Sequence, residues 1–377
     1  MSLTLGGVQL LDADGELQRG WISVEGDRIV GIGYDDSAPA DIKLDGRTVL
    51  PGFVDMHCHG GGGASYTSAD PEQIARAAQT HLAHGTTTTN ASLVSATYDD
   101  LERQIRALIP FVDDGTLNGI HLEGPWISPN YCGAHDPATL RDPHPDEVAR
   151  IMDIGEGRIS MVTIAPELPG AVTSIERIVA TGAIAALGHT GADADHARAA
   201  VDAGATVATH LFNAMPPLLH RAAGPVGVLL TDPRVTVELI SDGHHLGPEV
   251  VSLTMTTARE RSALITDAMA AAGAGDGIYV LGDLEVRVTD GVARLVSNGS
   301  LAGSTLFMDS ALRRAVRIAG VPLADASAAA SVVPARTLCL ADRGELAVGQ
   351  RADLVVLDDE WAVERVMRAG QWVSGSR

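Results

Sequence analysis

The middle of the chain alternates apolar runs of strand length with amphipathic segments of helical period. The amphipathic segments, such as 71–85, 174–182 and 193–205, tend to stop near a glycine, which is typical of helix C-termini. The eight candidate strands cover 53–59, 85–94, 118–123, 159–166, 183–189, 205–211, 235–241 and 262–267. Eight strand and helix pairs in a row predict an α/β fold, a TIM-like (β/α)₈ barrel, in which functional residues lie at the C-terminal ends of the strands.

Both ends of the chain lack this alternation of strand and helix patterns. Residues 1–48 and 345–377 consist of short strand-like runs separated by Gly and Asp turns, and the last of these runs contain no helical pattern. We therefore expect the two ends to pair into a small β-sandwich domain, and residues 49–344 to form the barrel that carries the functional site. Residues 275–303 are Gly-rich and strand-like, which predicts a β excursion close to the eighth barrel strand.

The charge balance narrows the classes of partner. The 377 residues include 27 Lys and Arg against 48 Asp and Glu, which gives a net charge of −21. Binding to nucleic acid or to an anionic membrane rests on cations that neutralise phosphate, so we expect neither partner. Three scattered cysteines make no disulfide framework, and the first residues lack the pattern of a signal peptide. These features predict a cytoplasmic protein.

Polar residues cluster at the ends of five predicted strands. They are His57 and His59 on the first strand, Glu123 on the third, His189 on the fifth, His210 on the sixth and Asp267 on the eighth. Residues i and i+2 of a strand share a face, so His57 and His59 point the same way. Imidazole and carboxylate ligands together suit Zn²⁺ or a similar divalent ion, and Asp267 then stands as a general base for water.

The remaining histidines of this region have plainer interpretations. His81, His84 and His196 lie on predicted helices, and His121 precedes Glu123 by two residues with no evident partner. We expect surface positions or supporting contacts behind the ligands for these four. Cys58, between the two histidines of the first strand, points to the opposite face and is expected to pack.

Two loops beyond the strand ends favour an anionic, polar substrate. The segment 210–217 leaves the sixth strand and is followed by Arg221, and the segment 241–245 leaves the seventh strand with Asp242 and His245. Barrel enzymes commonly bind phosphate through such loops, with backbone N–H groups and a guanidinium. We expect Arg221 to supply that cation.

These segments also resemble a known family. PGFVDMHCHG, HLEGPWISP, GAHDP, LGHTGA, THLFNAMPPLLHR, SDGHH, ITDAM and SLAGS are similar, in this order, to segments of the amidohydrolase superfamily, and in particular of its N-acetylglucosamine-6-phosphate deacetylase branch. The resemblance covers essentially the whole chain, including GELAVGQRADLVVLD near its end. HLEGP followed by GAH, and THLFNAM, are specific to the deacetylase branch, whereas the first and last segments mark only the superfamily.

The resemblance implies a role for each matching residue. Glu123, His189 and His210 match metal ligands, Asp267 matches the residue that activates water and protonates the leaving amine, and His135 would polarise the acetyl carbonyl. Some deacetylases carry amides at the positions of His57 and His59 and hold one metal ion, so this pair makes a second ion possible. The substrate-contacting positions are Ala134, Asn213, Ala214, Arg221, Asp242, His245, Leu301, Ala302 and Gly303.

The implied activity is hydrolysis of N-acetyl-D-glucosamine 6-phosphate, a small amino-sugar phosphate, to D-glucosamine 6-phosphate and acetate in amino-sugar catabolism or cell-wall recycling. One or two divalent ions, with zinc expected, would assist. Family members also imply a homodimer in which residues near 221 and 245 reach the neighbouring subunit's site. Two alternatives stay open: another amidohydrolase specificity, such as N-acetylgalactosamine 6-phosphate or an N-acyl-D-amino acid, and a non-catalytic scaffold.

The lysine content separates two branches of this superfamily. Lys43 is the single lysine among the 27 cations, and it lies before the predicted barrel. Dihydroorotase-like and hydantoinase-like relatives need a carbamylated lysine on a barrel strand, so that branch is excluded. Glu123 is then the carboxylate expected to hold the metal.

Overall fold

The computed structural model describes residues 2–35 and 38–373, and the chain folds around a barrel of parallel strands. The eight barrel strands are Phe53–Asp55 (β6), Thr86–Leu93 (β9), Gly119–Glu123 (β10), Ile159–Ile164 (β11), Ile184–Leu187 (β12), Val207–Ala208 (β13), Thr236–Ile240 (β14) and Ser262–Ile265 (β15). Their spatial order follows the chain from β6 to β15. The prediction of a TIM-like barrel is confirmed.

The first and last barrel strands meet at their C-terminal ends. The backbone N–H of Asp267 donates to the carbonyl of His57 at 2.9 Å, and Cys58 and Ala268 form a parallel bridge. The Asp55 carboxylate accepts from the Thr266 hydroxyl at 2.5 Å. These bonds bring the segments that follow β6 and β15 together, so their side chains share one site.

Two barrel strands are shorter than the apolar runs predict. The run 205–211 contributes only Val207–Ala208 to the ladder, and the run 53–59 contributes only Phe53–Asp55. The reason in the sixth strand is its backbone: His210 and Phe212 have φ values of 27° and 78°, a left-handed conformation that ends a strand. The polar end of the run therefore leaves the ladder and turns into the site.

Helices cover the outside of the barrel, as the amphipathic segments predict. Their bounds are Pro71–Ala83 (α1), Tyr98–Asp113 (α2), Pro145–Ile154 (α3), Ala171–Ala180 (α4), Ala194–Asp202 (α5), Gly224–Thr231 (α6), Pro248–Thr257 (α7), Met308–Arg317 (α8), Leu323–Ala330 (α9) and Val332–Thr337 (α10). Asp70, Thr97 and Asp193 cap α1, α2 and α5 with their side chains. None of the described helices is both long and apolar enough to cross a membrane.

The two ends of the chain pair into one sheet. Its strands are Ser2–Leu11 (β1), Leu17–Glu25 (β2), Arg28–Gly33 (β3), Ile42–Lys43 (β4), Thr48–Pro51 (β5), Leu354–Leu357 (β19), Val363–Arg368 (β20) and Gln371–Trp372 (β21). Hydrogen bonds join all eight into a single sheet with its own apolar core, which includes Leu5, Ile22 and Met367. The described pairings thus form one continuous sheet rather than two. Lys43 is exposed on β4.

A three-stranded antiparallel sheet follows the eighth barrel strand, where the β excursion is predicted. It consists of Gly277–Leu281 (β16), Leu284–Thr289 (β17) and Val292–Leu295 (β18). Its apolar face packs on Val94, Ala134 and Met269, which belong to segments beside the barrel strand ends. The excursion therefore forms a wall next to the candidate site. The two short strands Gly60–Gly61 (β7) and Ala64–Ser65 (β8) form a small hairpin after β6.

Candidate active site and metal centre

Four histidines surround the Glu123 carboxylate at the C-terminal end of the barrel. Glu123 Oε1 lies 3.0 Å from His189 Nε2 and 3.0 Å from His210 Nε2. Glu123 Oε2 lies 3.2 Å from His59 Nε2, and His57 Nε2 lies 3.6 Å from Oε1. All of these side chains are buried. The strand ends thus bring the residues singled out in the sequence into a single cluster.

Asp267 joins this cluster from the end of the eighth strand. Its Oδ1 lies 3.2 Å from His59 Nε2 and 3.5 Å from His57 Nε2. The backbone at His189, His210 and Asp267 has φ values of 47°, 27° and 48°. A left-handed conformation costs a non-glycine residue about 1–2 kcal/mol, and such strain concentrates at functional sites. The turn of the backbone at these three residues aims their side chains into the barrel mouth.

The hydrogen bonds of the histidines determine their tautomers. The Nδ1–H group of His57 donates to Glu238 Oε2 at 3.1 Å, that of His59 to the Ser92 carbonyl at 3.1 Å, and that of His189 to the Tyr131 carbonyl at 2.8 Å. Each of these acceptors has only lone pairs, so the proton sits on Nδ1. When the ring is neutral, as it is when it ligates a cation, its Nε2 atom therefore presents a lone pair to the centre of the site.

The Nε2 atoms of the histidines face one another in pairs at short distance, although no hydrogen bond within the described residues fixes the tautomer of His210, whose Nδ1 is buried without a partner. His57 Nε2 and His59 Nε2 are 3.1 Å apart, and His189 Nε2 and His210 Nε2 are 3.0 Å apart. Two imidazole nitrogens this close repel unless a proton or a cation lies between them, and neutral imidazole with its other nitrogen hydrogen-bonded is the common form of a metal-ligating histidine. Two groups of ligand atoms fit an ion: Glu123 with His189 and His210, and Glu123 with His57, His59 and Asp267.

The carboxylates of the site are also short of positive charge. Asp55, Glu123, Glu238 and Asp267 are all buried. Within the described residues, the ion pairs of Glu123, Glu238 and Asp267 involve histidines rather than arginine or lysine. Burial raises the pKa of Asp55 to about 6. Burial also opposes the charge on Glu123, but the surrounding histidines outweigh it and hold the Glu123 pKa well below its usual range.

His57 and His59 respond to the same acidic surroundings. Burial alone would lower the pKa of both. Glu123, Glu238 and Asp267 outweigh burial at His57 and raise its pKa well above the ordinary value. Glu123 and Asp267 outweigh burial at His59 and raise its pKa to about 9. The centre thus attracts positive charge, as a divalent cation site must.

His135 approaches Glu123 from the loop that follows β10. Its Nδ1 accepts the Ser95 backbone N–H at 3.1 Å, so the ring proton is on Nε2, which lies 3.3 Å from Glu123 Oε2. Burial lowers the pKa of His135 to about 4. The ring is therefore neutral at pH 7 and presents an N–H donor to the site, which suits it to hydrogen-bond a carbonyl oxygen.

A cavity of about 390 Å³ opens over the cluster. Its floor is formed by His59, Glu123, His135, His189, His210 and Asp267. Its walls are formed by Val94, Asn130, Tyr131, Gly133, Ala134, Asn213, Ala214, His245, Leu281, Ser300, Leu301 and Gly303. Six of the nine predicted substrate positions, namely Ala134, Asn213, Ala214, His245, Leu301 and Gly303, therefore lie on this cavity.

The other three predicted positions lie elsewhere. Ala302 is fully buried in the apolar cluster beneath the three-stranded sheet. Asp242 lies behind His245, where its Oδ2 accepts from His245 Nδ1 at 2.7 Å. Arg221 is exposed and outside the lining of this cavity. Within one chain, the structure does not bring Arg221 to the cluster.

Two carboxylates that contact the cluster received no role from the sequence. Glu238 on β14 holds His57, and Asp55 at the end of β6 accepts from the Thr266 hydroxyl and from the backbone N–H of His57 at 3.3 Å. The signal for Glu238 is a single charge inside the apolar run 235–240. A buried charge in such a run needs a partner, which sequence spacing alone does not identify.

Two of the remaining histidines take supporting positions. His121 is buried between Ser92 Oγ at 2.9 Å and Thr163 Oγ1 at 2.8 Å, beneath the ligands. His81 is buried as well, although it lies on a helix: its Nε2 is 2.9 Å from the Gly60 carbonyl and 3.2 Å from Cys58 Sγ. Cys58 packs away from the ligands, on the face opposite to its two neighbours.

A (β/α)₈ barrel with histidine and carboxylate side chains gathered at the strand ends defines a hydrolase site of the metal-binding type. The comparison with known proteins agrees with this class: residues 48–373 match the model of the amidohydrolase family. The chain belongs to the amidohydrolase family and is an amide hydrolase.

Among curated relatives, the N-acetylgalactosamine-6-phosphate deacetylase of Escherichia coli O157:H7 is 35% identical over 95% of this chain and 97% of its own length. The human N-acetylglucosamine-6-phosphate deacetylase is 35% identical over 95% of this chain and 92% of its own.

Among solved structures, the N-acetyl-D-glucosamine-6-phosphate deacetylase of Mycobacterium smegmatis is 49% identical, with a TM-score of 0.94, over 99% of this chain and 100% of that one. A variant of that enzyme was solved in complex with N-acetyl-D-glucosamine-6-phosphate. The deacetylase of Thermotoga maritima is 32% identical with a TM-score of 0.88 over 98% of this chain and 99% of that one.

Proposed function

We propose that the protein hydrolyses N-acetyl-D-glucosamine 6-phosphate to D-glucosamine 6-phosphate and acetate. The observation that carries the proposal is the meeting of a general base, Asp267, and a neutral N–H donor, His135, on either side of the Glu123 cluster in one cavity. The relatives that share this fold over nearly the whole chain carry the names of amino-sugar-phosphate deacetylases.

The residues that would hold metal are those with converging lone pairs. Glu123, His189 and His210 would bind one ion, and His57 and His59 a second, with Glu123 between the two and Asp267 beside them. Two divalent ions would also balance the four buried carboxylates of the site, which supports two ions rather than one. We propose zinc because imidazole and carboxylate ligands suit it. Such an ion, when bound, polarises the amide carbonyl and lowers the pKa of water.

The chain's own residues supply the rest of the chemistry. His135 donates its Nε2–H to the acetyl carbonyl oxygen and stabilises the negative charge that develops there. Asp267 takes a proton from the attacking water as the new C–O bond forms. The tetrahedral intermediate then loses the sugar nitrogen: the C–N bond breaks, the Asp267 carboxyl gives its proton to that nitrogen, and acetate and the free amine leave.

The walls of the cavity would bind the sugar phosphate. We propose that Ala134, Asn213, Ala214, His245, Leu301 and Gly303 contact it, with Asp242 holding His245 and Ala302 supporting its neighbours. The exposed position of Arg221, off the cavity of its own chain, supports a contact between Arg221 and a second subunit. We propose a homodimer in which Arg221 of one subunit approaches the phosphate bound in the other.

Two smaller proposals concern the terminal sheet, which would form a domain, and the cysteines, which bear on the compartment. Residues 1–48 and 345–377 would form a small β domain of their own beside the barrel of residues 49–344, since their sheet has its own apolar core. All three cysteines are free, which suits a reducing compartment such as the cytoplasm.

Turnover of a small set of amides tests the activity. Purified enzyme with added Zn²⁺ is assayed with N-acetylglucosamine 6-phosphate, N-acetylgalactosamine 6-phosphate and unphosphorylated N-acetylglucosamine, and release of acetate is measured. We expect the highest kcat/KM for the first and a loss of at least about tenfold without the phosphate.

The second candidate is the galactosamine epimer, because one of the relatives bears that name. A tenfold preference for N-acetylgalactosamine 6-phosphate would replace the proposed substrate with this one. Failure to release acetate from either phosphate would overturn the proposal.

A further inference from the structure

Glu238 lies in the interior of the barrel, on β14, and is fully buried. Its Oε2 accepts two hydrogen bonds, one from His57 Nδ1 at 3.1 Å and one from the backbone N–H of His210 at 3.1 Å. Both partners belong to the residues that face Glu123. Glu238 itself contacts these two residues from the side away from Glu123 and does not line the cavity.

The hydrogen bond to His57 decides which nitrogen of that ring is free. A carboxylate oxygen only accepts, so in the neutral ring it keeps the proton on Nδ1 and leaves the lone pair on Nε2. That Nε2 lies 3.1 Å from His59 Nε2 and 3.5 Å from Asp267 Oδ1. If the proton were on Nε2 instead, its N–H group would point at His59 and Asp267, and His57 could not bind a cation together with them.

The charge of Glu238 has no other compensation within the described residues. Its Oε1 is buried without a hydrogen-bond partner, and its ion pair is with the His57 ring. Such a carboxylate is costly to bury unless positive charge lies close by. The nearest place for that charge is across the imidazole, between His57 and His59.

We propose that Glu238 is the positioning residue that makes the second ion of the centre bind, by holding His57 with its Nε2 toward His59, Glu123 and Asp267. The ion expected at Glu123, His189 and His210 depends on Glu238 only through one backbone hydrogen bond. The inference rests on the proposed metal-dependent function and adds a residue that controls how many ions the site holds.

A pair of substitutions separates the charge of Glu238 from its hydrogen bonds. In Glu238→Gln the amide oxygen still accepts from His57 and from the His210 N–H, but the negative charge is gone. In Glu238→Met both are gone and the volume is similar. Loss of a carboxylate behind a ligating histidine typically weakens metal binding about 10–100-fold.

The measurement is Zn²⁺ content and affinity, taken by equilibrium dialysis against Zn²⁺ with a competing chelator. We expect two ions in the unchanged protein, a second ion about 10–100-fold weaker in Glu238→Gln, and one ion only in Glu238→Met. Thr163→Val is the matched control, because Thr163 is equally buried in the barrel but bonds to His121 and Thr209. It should keep both ions.

The outcomes distinguish this inference from the proposed activity. Two ions of unchanged affinity in both Glu238 variants would overturn the inference, as would equal weakening of both ions, which indicates a general structural role. A single ion in the unchanged protein would also overturn it, while acetate release by that protein would still support the deacetylase. Selective loss of the second ion without turnover of any amino-sugar phosphate would support the inference and overturn the activity. If Glu238→Met does not fold, Glu238→Gln alone decides.

Discussion

Asp267 has a strained backbone conformation, and the pKa of its carboxyl group is lowered. Burial opposes its ionisation, but His57 and His59 outweigh burial and lower the pKa of Asp267 below its ordinary value, so it is a carboxylate at neutral pH. A base must be deprotonated and within reach of the water it activates. Asp267 Oδ1 lies 3.2 Å from His59 Nε2, so the base is next to the residues that would hold the metal.

Asp267→Asn removes the base and keeps the shape of the side chain. Asparagine also tolerates the left-handed backbone at this position better than most residues. We expect kcat to fall by about 10²–10⁴-fold while the protein retains bound metal and substrate affinity. Initial rates of acetate release, with metal content measured on the same samples, check this. Near-normal turnover would rule out the assigned role of Asp267.

His245 is expected to bind substrate as a cation. Burial lowers its pKa, but the bond to Asp242 outweighs burial and raises the pKa of His245 above its ordinary value of 6.5. Since the folded-state pKa is raised above 6.5, the imidazolium predominates at pH 6.5 and below and is lost as the pH rises through the folded-state pKa. An anionic phosphate should therefore bind less well on the alkaline side.

KM for the phosphorylated substrate should rise with pH, measured between about pH 6 and about pH 9. His245→Gln should show a higher KM throughout and little of this pH dependence. The unphosphorylated sugar serves as the control, because its KM should not follow the charge of His245. A pH-independent KM in the unchanged protein would contradict the charged role.

The sequence predicts some site residues and misses others for physical reasons. His57, His59, Glu123, His189, His210 and Asp267 are visible because they end apolar runs, and strand ends of a barrel meet at one rim. The tautomers and Glu238 are not visible, because they depend on which side chains touch across the barrel. Arg221 fits the expected loop in sequence, yet the fold of one chain leaves it exposed and off the cavity.

At the scale of elements, the apolar runs locate all eight barrel strands, but not their lengths. The runs at 53–59 and 205–211 are longer than β6 and β13, and in the second of them the left-handed backbone at His210 ends the ladder early. The terminal sheet shows the reverse effect: Thr48–Pro51 pairs with Leu354–Leu357, three residues beyond the predicted boundary at 48. Pairing between distant segments is not encoded in local periodicity.

The three-stranded sheet of β16 to β18 forms one wall of the cavity through Leu281. That side chain is 4% exposed and packs in the apolar cluster beneath the sheet. Leu281→Ala should loosen the wall and raise KM about tenfold with a smaller change in kcat, since it shapes the substrate site but touches none of the reacting groups. Val286→Ala, in the same cluster but off the cavity, is the control.

Steady-state kinetics and thermal unfolding of the two variants check this. Both substitutions should destabilise the protein, by about 2–5 kcal/mol for a buried Leu to Ala change and by less for Val. Only Leu281→Ala should change KM. An equal rise in KM for Val286→Ala would mean that the sheet acts through its overall stability rather than through this side chain.

At the scale of the whole molecule, the location of Arg221 predicts that two inactive variants restore each other. Arg221→Ala lacks the phosphate contact, and Asp267→Asn lacks the base. In a mixed dimer, if Arg221 of each subunit serves the site of the other, one of the two sites has both an intact Asp267 and an intact Arg221 from the other subunit. After co-refolding of equal amounts, activity should return to about a quarter of the unchanged enzyme for a symmetric dimer.

Acetate release by the mixture, compared with each variant alone, is the measurement. If Arg221 serves the site of its own chain, every mixed dimer lacks one group at each site and the mixture stays inactive. Size-exclusion chromatography of the same sample reports whether dimers are present.

Removal of metal should destabilise the whole fold. Without ions, Glu123, Glu238 and Asp267 stay buried with histidines as their only ionic partners among the described residues. Each ion at 1,000 times its Kd contributes about 4 kcal/mol to the free energy of unfolding. Thermal unfolding after chelation should therefore begin at a lower temperature, and added Zn²⁺ should restore it. An unchanged unfolding temperature would contradict a resident metal.

The exposed position of Lys43 on the terminal sheet has a practical consequence. Amine-reactive reagents find a single side chain to modify, and that side chain lies outside the cavity over Glu123. Once the α-amino group is blocked, a fluorophore or a solid support can thus be attached to every molecule in the same orientation, through a strand that the reaction does not use. An immobilised form made in this way would be anchored at a residue that does not line the cavity over Glu123.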